Sequence, residues 1–128
     1  MDIEQIRSVP LFAGLTDDEL APCAEALSEC EILAGGSLAK QDDFAYKFFI
    51  VLDGEVDVHR DFELINELGP GDIFGETALV TGEKRNARVT GRTRCRLACM
   101  MTWDFTAMTE RLPIVAERVA AVVDARTD

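Results

Sequence analysis

The stretch FGETALVTGEKRNARV, from Phe74 to Val89, is the segment that decides the interpretation of this chain. Gly75 follows the turn sequence LGPGD of residues 68–72, and because it has no β-carbon a ligand can approach its backbone closely. The next four residues, Glu-Thr-Ala-Leu, predict one helical turn whose first N–H groups lack helical partners and therefore favour an anion. The sequence thus predicts a phosphate cradle that begins at Gly75.

Two charged side chains extend this pattern. Arg85 carries a permanent positive charge on a planar fork that suits two oxygens of a phosphate. Glu76 only accepts hydrogen bonds when it is ionised, so beside a bound anion it is best explained as holding neutral hydroxyl donors such as those of ribose. A nucleotide with a free 2′-hydroxyl satisfies both groups, which indicates binding rather than catalysis.

Each of these two residues also has a purely structural interpretation. Glu76 can serve as a cap that balances the dipole of its own helical turn. Arg85 can belong to a solvated basic strand, since the arginines that follow are mostly two residues apart and would share one face of an extended segment. That set consists of Arg85, Arg88, Arg92, Arg94 and Arg96.

The ordered motifs of the chain resemble the cyclic-nucleotide-binding domain family, which includes the bacterial cAMP receptor protein, the regulatory subunits of protein kinase A and cyclic-nucleotide-gated channels. The resemblance covers most of the chain. Its landmarks are VPLFAGLTDDEL near the start, FFIVLDGEVDV at Phe48 to Val58, LGPGDIFGETAL, KRNARV and the WDF of Trp103 to Phe105.

The resemblance implies roles for individual residues. In the family the Gly-Glu pair opens the phosphate-binding turn, the glutamate takes the ribose 2′-hydroxyl and an arginine takes the cyclic phosphate; Glu76 and Arg85 match those positions. Asn86 is expected to be an accessory contact, because its amide can donate a hydrogen bond. The predicted ligand-binding set is Phe74, Gly75, Glu76, Thr77, Ala78, Arg85, Asn86, Ala87 and Arg88.

Three features depart from the family pattern. Asp42 stands where the family usually has a glycine in a tight turn, although aspartate tolerates turn geometry. Arg88 replaces a small residue near the ligand, where it either adds a second cation or obstructs the pocket. No polar residue of the last helix can be assigned to the base, so the choice between adenine, guanine and another base stays open.

Composition and charge limit the functions that are expected of this chain. The chain has 128 residues, 48% of them hydrophobic, which is enough for one domain with a real core. Thirteen basic against 24 acidic residues give a net charge of −11, which repels nucleic acid and anionic membranes. The resemblance also stops before any helix-turn-helix, so we expect no DNA-binding domain and no nucleic-acid partner.

Neither a signal peptide nor a membrane span is predicted, because the N-terminus is charged and no segment approaches the roughly 20 apolar residues that a span needs. We therefore expect a cytoplasmic protein. The four cysteines form no C-x2-C pair and no dense framework, so we expect thiols that fill apolar positions and no metal site. They are Cys23, Cys30, Cys95 and Cys99.

The order of elements predicts a mainly β fold, a double-stranded β-helix or jelly-roll barrel with flanking N- and C-terminal helices. Residues 1–30 form a helical lead-in, with Thr16 starting a capped helix that runs to about Ser28. Residues 31–101 form the barrel, from the runs FFIVL, VDV, ELINEL, ARVTG and RLACMM. The Asp53-Gly54 pair predicts a hairpin. Residues 102–128 form the closing helices, with a break or kink at Pro113.

The last helix carries an apolar stripe at helical spacing, the valine stripe, formed by Ile114, Val115, Val119, Val122 and Val123. This stripe either covers the barrel or pairs two subunits, as the equivalent helix often does in relatives. His59, the only histidine, is expected at the surface, and no catalytic constellation is present.

The leading hypothesis is a non-enzymatic sensor that binds a cyclic nucleotide, with cAMP as the first candidate, and signals to an unknown effector protein. The alternative is a protein-protein interaction module that has lost the nucleotide.

Overall fold

Residues 1–37, 47–60, 62–75 and 87–127 are described by the computed structural model. Their elements are α1 (Ile3–Ile6), a 3-10 turn (Pro10–Phe12), α2 (Asp17–Ala26), β1 (Ser28–Ile32), β2 (Lys47–Asp53), β3 (Val56–Arg60), β4 (Glu63–Leu68), β5 (Ile73–Phe74), β6 (Ala87–Gly91), β7 (Cys95–Met101), α3 (Thr102–Arg111) and α4 (Pro113–Thr127). All five apolar runs singled out in the sequence fall within strands.

The strands form two antiparallel sheets. One has four strands in the order β1-β7-β2-β5, and the other has three in the order β4-β3-β6. Helices from both ends of the chain pack on the outer face of the four-stranded sheet. This arrangement confirms the predicted jelly-roll barrel with flanking helices.

The start of α2 follows from its local sequence. The Thr16 hydroxyl accepts a hydrogen bond from the Glu19 N–H at 3.2 Å, and the Glu19 carboxylate accepts one from the Thr16 N–H at 2.9 Å. This reciprocal capping box satisfies two backbone donors and confirms the predicted start. The helix ends at Ala26, slightly before the predicted end at about Ser28, because Leu27 is already extended and Ser28 begins β1.

The Asp53-Gly54 pair does not form a hairpin. It connects β2 to β3, and these strands lie in different sheets. Gly54 has a φ of 92° and lies so close to β7 that an added β-carbon would be 2.9 Å from the Cys95 Cα. Asp53 and Gly54 therefore form a turn, as their sequence predicts, but this turn is a corner between two sheets and not a hairpin.

The core divides into two clusters, which lie on opposite sides of the four-stranded sheet. The helix-side cluster joins that sheet to the helices and includes Ile6, Leu20, Phe48, Ile50, Met100, Phe105, Met108, Val115 and Val119. The barrel cluster lies between the two sheets and consists of Ile32, Phe49, Val51, Val56, Leu68, Phe74, Val89, Cys95 and Leu97. Alternation along the strands sends successive side chains into different clusters.

The closing helices break where the sequence predicts. α3 ends at Arg111, Leu112 leaves the helical conformation with φ −121° and ψ 86°, and Pro113 begins α4. Val115, Val119 and Val123 are buried in the helix-side cluster, whereas Ile114 is 41% exposed. Most of the valine stripe therefore packs against this chain's own core.

Candidate functional site

The predicted site begins at the end of β5. Ile73 and Phe74 are buried and pair with Ile50 and Phe49 of β2. The Phe74 ring stacks on that of Phe49, with centroids 4.8 Å apart and an interplanar angle of 10°. The next residue, Gly75, has a φ of 91°, a conformation that a side chain with a β-carbon rarely adopts. The chain therefore leaves the extended strand conformation at a glycine that directly follows a buried aromatic pair.

The far end of the predicted site lies on β6. Val89 is buried in the barrel cluster and pairs with Val58, while its neighbour Arg88 is exposed and pairs with His59. Successive side chains of a strand point to opposite faces, so Arg88 lies on the outer face of this sheet. The structure therefore does not bring Arg88 to the inner face that Val89 occupies.

Phe74 and Val89 belong to the same buried cluster, so the two flanks of the predicted site meet in one core. Ala87 begins β6 and is paired with Arg60 of β3. The predicted contacts Glu76, Thr77, Ala78, Arg85 and Asn86 lie outside the described residues, as does Asp42. Their roles remain predictions.

Two thiols lie at the border of the barrel cluster. Cys30 and Cys99 are partly buried and pack against it, together with Val58. A hydrogen bond from the Cys30 thiol stabilises the Cys99 thiolate, and the positive charge of Lys47 adds to this effect against burial, which lowers the pKa of Cys99 to about 6. The same contact with Cys99 and partial burial raise the pKa of Cys30. Sequence reasoning treated both cysteines as apolar fillers and missed their proximity.

The arginines after β6 are structural. The chain turns after Gly91, so Arg92 and Arg94 do not continue the face of β6. Arg92 pairs with Asp57 at 2.6 Å, Glu67 at 2.8 Å and Glu55 at 3.4 Å. These hydrogen-bonded carboxylates raise the pKa of Arg92 above its ordinary value. The interpretation of Arg92 and Arg94 as one solvated strand face is therefore wrong.

A surface cavity of about 580 Å³ lies at the β1 edge of the four-stranded sheet and is lined by Glu29, Cys30, Glu31, Asp53, Arg94 and Arg96. Its charged walls are already paired, Arg94 with Glu31 and Arg96 with Glu29. Such a cavity offers an anion no excess positive charge. Across the described ranges, no group of three or more His, Cys, Asp or Glu side chains is placed to hold a metal ion.

Comparison with known proteins gives the family. The sequence profile of the cyclic nucleotide-binding domain matches residues 29–111. The chain belongs to the cyclic nucleotide-binding domain family. The family consists of sensor and regulatory domains that bind cyclic nucleotides such as cAMP, and it is not a catalytic one.

Three relatives illustrate this membership. A cyclic nucleotide-gated potassium channel of Rhizobium etli is 30% identical over 89% of this chain and 32% of its own length. The cAMP-dependent protein kinase regulatory subunit of Schizosaccharomyces pombe is 33% identical over 73% of this chain and 23% of its own. The solved Thermus thermophilus catabolite activator protein superposes with a TM-score of 0.78 and 28% identity, over 92% of this chain and 58% of that one.

The chain spans less than a third of the length of these curated relatives. What is shared is thus the cyclic nucleotide-binding domain and not the channel or the rest of the kinase subunit. Among the described residues of this domain, no helix is both long and apolar enough to cross a membrane.

Proposed function

We propose that this domain is a non-enzymatic sensor that binds a cyclic nucleotide, with cAMP as the first candidate, in its barrel. In this proposal Glu76 holds the ribose 2′-hydroxyl and Arg85 neutralises the cyclic phosphate. The backbone from Gly75 through Thr77 and Ala78 cradles the phosphate, with Asn86 and Ala87 beside it. Binding takes place in the cytoplasm, and the output passes to an effector protein of unknown identity.

The observation that carries this proposal is the conformation of Gly75. Its φ of 91°, directly after the buried Phe74, is a backbone conformation that side chains with a β-carbon rarely adopt. A residue with a β-carbon would be strained there, so the position favours the glycine that a close phosphate contact also requires. Membership in the family supplies the independent support.

The closing helices are the proposed output element. Arg118 of α4 donates to the carbonyl oxygens of Leu11 at 3.0 Å and Pro10 at 3.5 Å, which ties α4 to the 3-10 turn. Arg111 at the end of α3 donates to the Cys23 sulfur at 3.5 Å. A ligand that prefers one arrangement of these helices shifts their population and so changes the surface offered to the effector.

The proposal does not include a homodimer through α4, because Val115, Val119 and Val123 are used in the chain's own core. Nor does it include a nucleic-acid partner, because the net charge of −11 opposes polyanions. The alternative of a nucleotide-free interaction module required Arg88 to close the pocket. The exposed position of Arg88 does not favour that arrangement.

Isothermal titration with cAMP and with cGMP tests the proposal. We expect saturable binding by the wild-type chain, and a loss of about 2 kcal/mol or more in Arg85→Ala and in Glu76→Ala, since each removes a charged contact. Arg88→Ala is the matched control, because it removes the same guanidinium from the outer face and should leave affinity unchanged. Unchanged affinity in both site variants contradicts the assigned roles. Silence from both nucleotides in the wild type favours the interaction module.

A further inference from the structure

Cys30 and Cys99 lie on the same face of the β1–β7 pair. The register places Cys30 opposite Leu97 and Ser28 opposite Cys99, so the two cysteines are diagonal neighbours on adjacent antiparallel strands. Both side chains pack against the barrel cluster, and each thiol shifts the pKa of the other. Neither cysteine is fully buried, whereas Cys23 and Cys95 are.

The electrostatic environment of Cys30 and Cys99 is the second observation. Lys47 of β2 pairs with Met101 and is therefore a diagonal neighbour of Cys99 on the other side of β7. Its ammonium and the thiol of Cys30 both stabilise a negative charge on the Cys99 sulfur. Cys99 lies between Cys30 on β1 and Lys47 on β2, so we assign it the role of the attacking thiol and Cys30 that of the resolving thiol.

The position of β1 allows the two sulfurs to bond. Diagonal neighbours on antiparallel strands have Cα atoms roughly 7–8 Å apart, slightly beyond the roughly 4.4–6.8 Å that a disulfide spans. β1 is the edge strand of its sheet and, among the described strands, pairs with β7 alone. A shift of β1 by about an ångström disturbs the hydrogen bonds to one neighbouring strand rather than to two. The two cysteines can therefore reach disulfide geometry at a low cost in free energy.

The other two cysteines provide a contrast within the same chain. Cys23 is buried in the helix-side cluster and receives a hydrogen bond from Arg111. Cys95 is buried and donates to the carbonyl oxygens of Glu55 and Thr93, at 3.1 and 3.2 Å. Among the described residues, the partners of these two thiols are Arg111, Glu55 and Thr93 rather than a second cysteine, so neither has a resolving thiol beside it.

We propose that Cys30 and Cys99 form a reversible intramolecular disulfide when the domain meets a peroxide. The Cys99 thiolate attacks one peroxide oxygen, so that an S–O bond forms as the O–O bond breaks, and this gives Cys99 sulfenic acid and one water once protons are taken up. The Cys30 sulfur then displaces the hydroxyl from Cys99, and its proton leaves with that hydroxyl as a second water. Two thiols and one peroxide thus give one disulfide and two waters.

This redox site does not rest on the proposed nucleotide binding. It uses only residues of β1, β2 and β7, and it can be measured on the purified chain without any nucleotide. A chain that binds no cyclic nucleotide would still form the disulfide, and a chain that fails to form it would still bind. The two proposals are therefore tested separately.

The test is treatment of the full chain with stoichiometric hydrogen peroxide, followed by non-reducing peptide mass spectrometry and thiol counting. We expect a linked peptide that joins Cys30 to Cys99, loss of two of the four thiols, and recovery of both on addition of dithiothreitol. Linked peptides between different chains, an unlinked sulfinic acid at Cys99, or retention of all four thiols would overturn the proposal.

Two variants sharpen the result. In Cys30→Ser the resolving thiol is absent, so Cys99 sulfenic acid should accumulate and be captured by dimedone. Cys23→Ala is the matched control, because it removes a thiol from the helix-side cluster and should still form the linked peptide. If Cys30→Ser does not fold, the wild-type peptide map decides the question alone. Equal dimedone capture by wild-type and Cys30→Ser chains would contradict a resolving role for Cys30.

Discussion

The two sides of the four-stranded sheet are built from the same strands but differ in what covers them. Phe48 and Phe49 are consecutive, and both are buried. Phe48 points into the helix-side cluster, where its ring centroid lies 4.8 Å from that of Phe105 in α3. Phe49 points into the barrel, where it stacks on Phe74 just before Gly75. One strand therefore joins the closing helices to the predicted binding turn.

The covering of the two sides explains their different chemistry. The helix-side cluster receives apolar side chains from α1, α2, α3 and α4 as well as from strands. The barrel cluster is built from strand residues and borders the partly buried Cys30, Val58 and Cys99. The two clusters are thus covered differently, one by four helices and the other by a second sheet with two partly buried thiols at its border.

The largest expected effect comes from removing a ring on the helix side. Phe48→Ala should lower the free energy of unfolding by about 3–5 kcal/mol, because it deletes a fully buried side chain and leaves a cavity under α3. Urea unfolding followed by circular dichroism measures this change. Trp103→Ala is the control, since Trp103 is 63% exposed, and it should change stability by less than about 0.5 kcal/mol. Equal effects in the two variants would contradict the assignment of Phe48 to the core.

An intermediate effect is expected at the binding turn. Gly75→Ala places a β-carbon at a φ of 91°, which should lower the free energy of unfolding by about 1–2 kcal/mol. If the strain also moves the predicted cradle, the affinity for cAMP should fall about tenfold, which corresponds to about 1.4 kcal/mol. Denaturation and isothermal titration measure the two quantities.

Gly69→Ala is the matched control for this turn. An added β-carbon at Gly69 meets no atom within 4 Å, and its backbone lies outside the left-handed region. Both stability and affinity should therefore stay close to those of the wild type. If Gly75→Ala behaves like Gly69→Ala in both measurements, the conformation of Gly75 has no role in the site.

A smaller effect, confined to the helix side, is expected from the cap of α2. Thr16→Ala removes the hydroxyl that accepts from the Glu19 N–H and should cost about 1 kcal/mol in unfolding free energy. Nucleotide affinity should not change, because α2 packs on the side of the sheet away from the barrel. Thr106→Ala, on the exposed surface of α3, is the control. A cost no larger than that of the control would contradict the capping role.

Much of this fold could be predicted from the sequence because its signals are local. The capping box at Thr16, the break at Pro113 and the alternating apolar runs each depend on residues within one element. The glycine before Glu76 was also identified by its neighbours, and the structure gives it the positive φ of a position that favours glycine. Local chemistry was sufficient in each of these cases.

The misinterpretations share a different cause. Asp53-Gly54 has the chemistry of a turn, but whether a turn makes a hairpin or a corner depends on which strands pair afterwards. The proximity of Cys30 and Cys99 likewise depends on the register of two strands that are far apart in the chain. Arg92 was misassigned because its three carboxylate partners come from β3, the segment before it, and β4. These contacts depend on which distant strands pair and in what register, and a local sequence pattern does not determine either.

The smallest expected effect needs no mutation. It is a difference in reactivity between one cysteine on each side of the sheet. Burial raises the pKa of Cys23 on the helix side, whereas the contact with Cys30 lowers the pKa of Cys99 in the barrel to about 6. Only the thiolate reacts with iodoacetamide, so the rate at Cys99 should be high at neutral pH and fall as the pH drops through about 6. Cys23 should stay protonated and slow across this range. Site-resolved mass spectrometry after brief alkylation at several pH values measures both rates. Parallel pH profiles at the two cysteines would mean that the barrel does not tune its thiols, and would remove the chemical difference between the two sides.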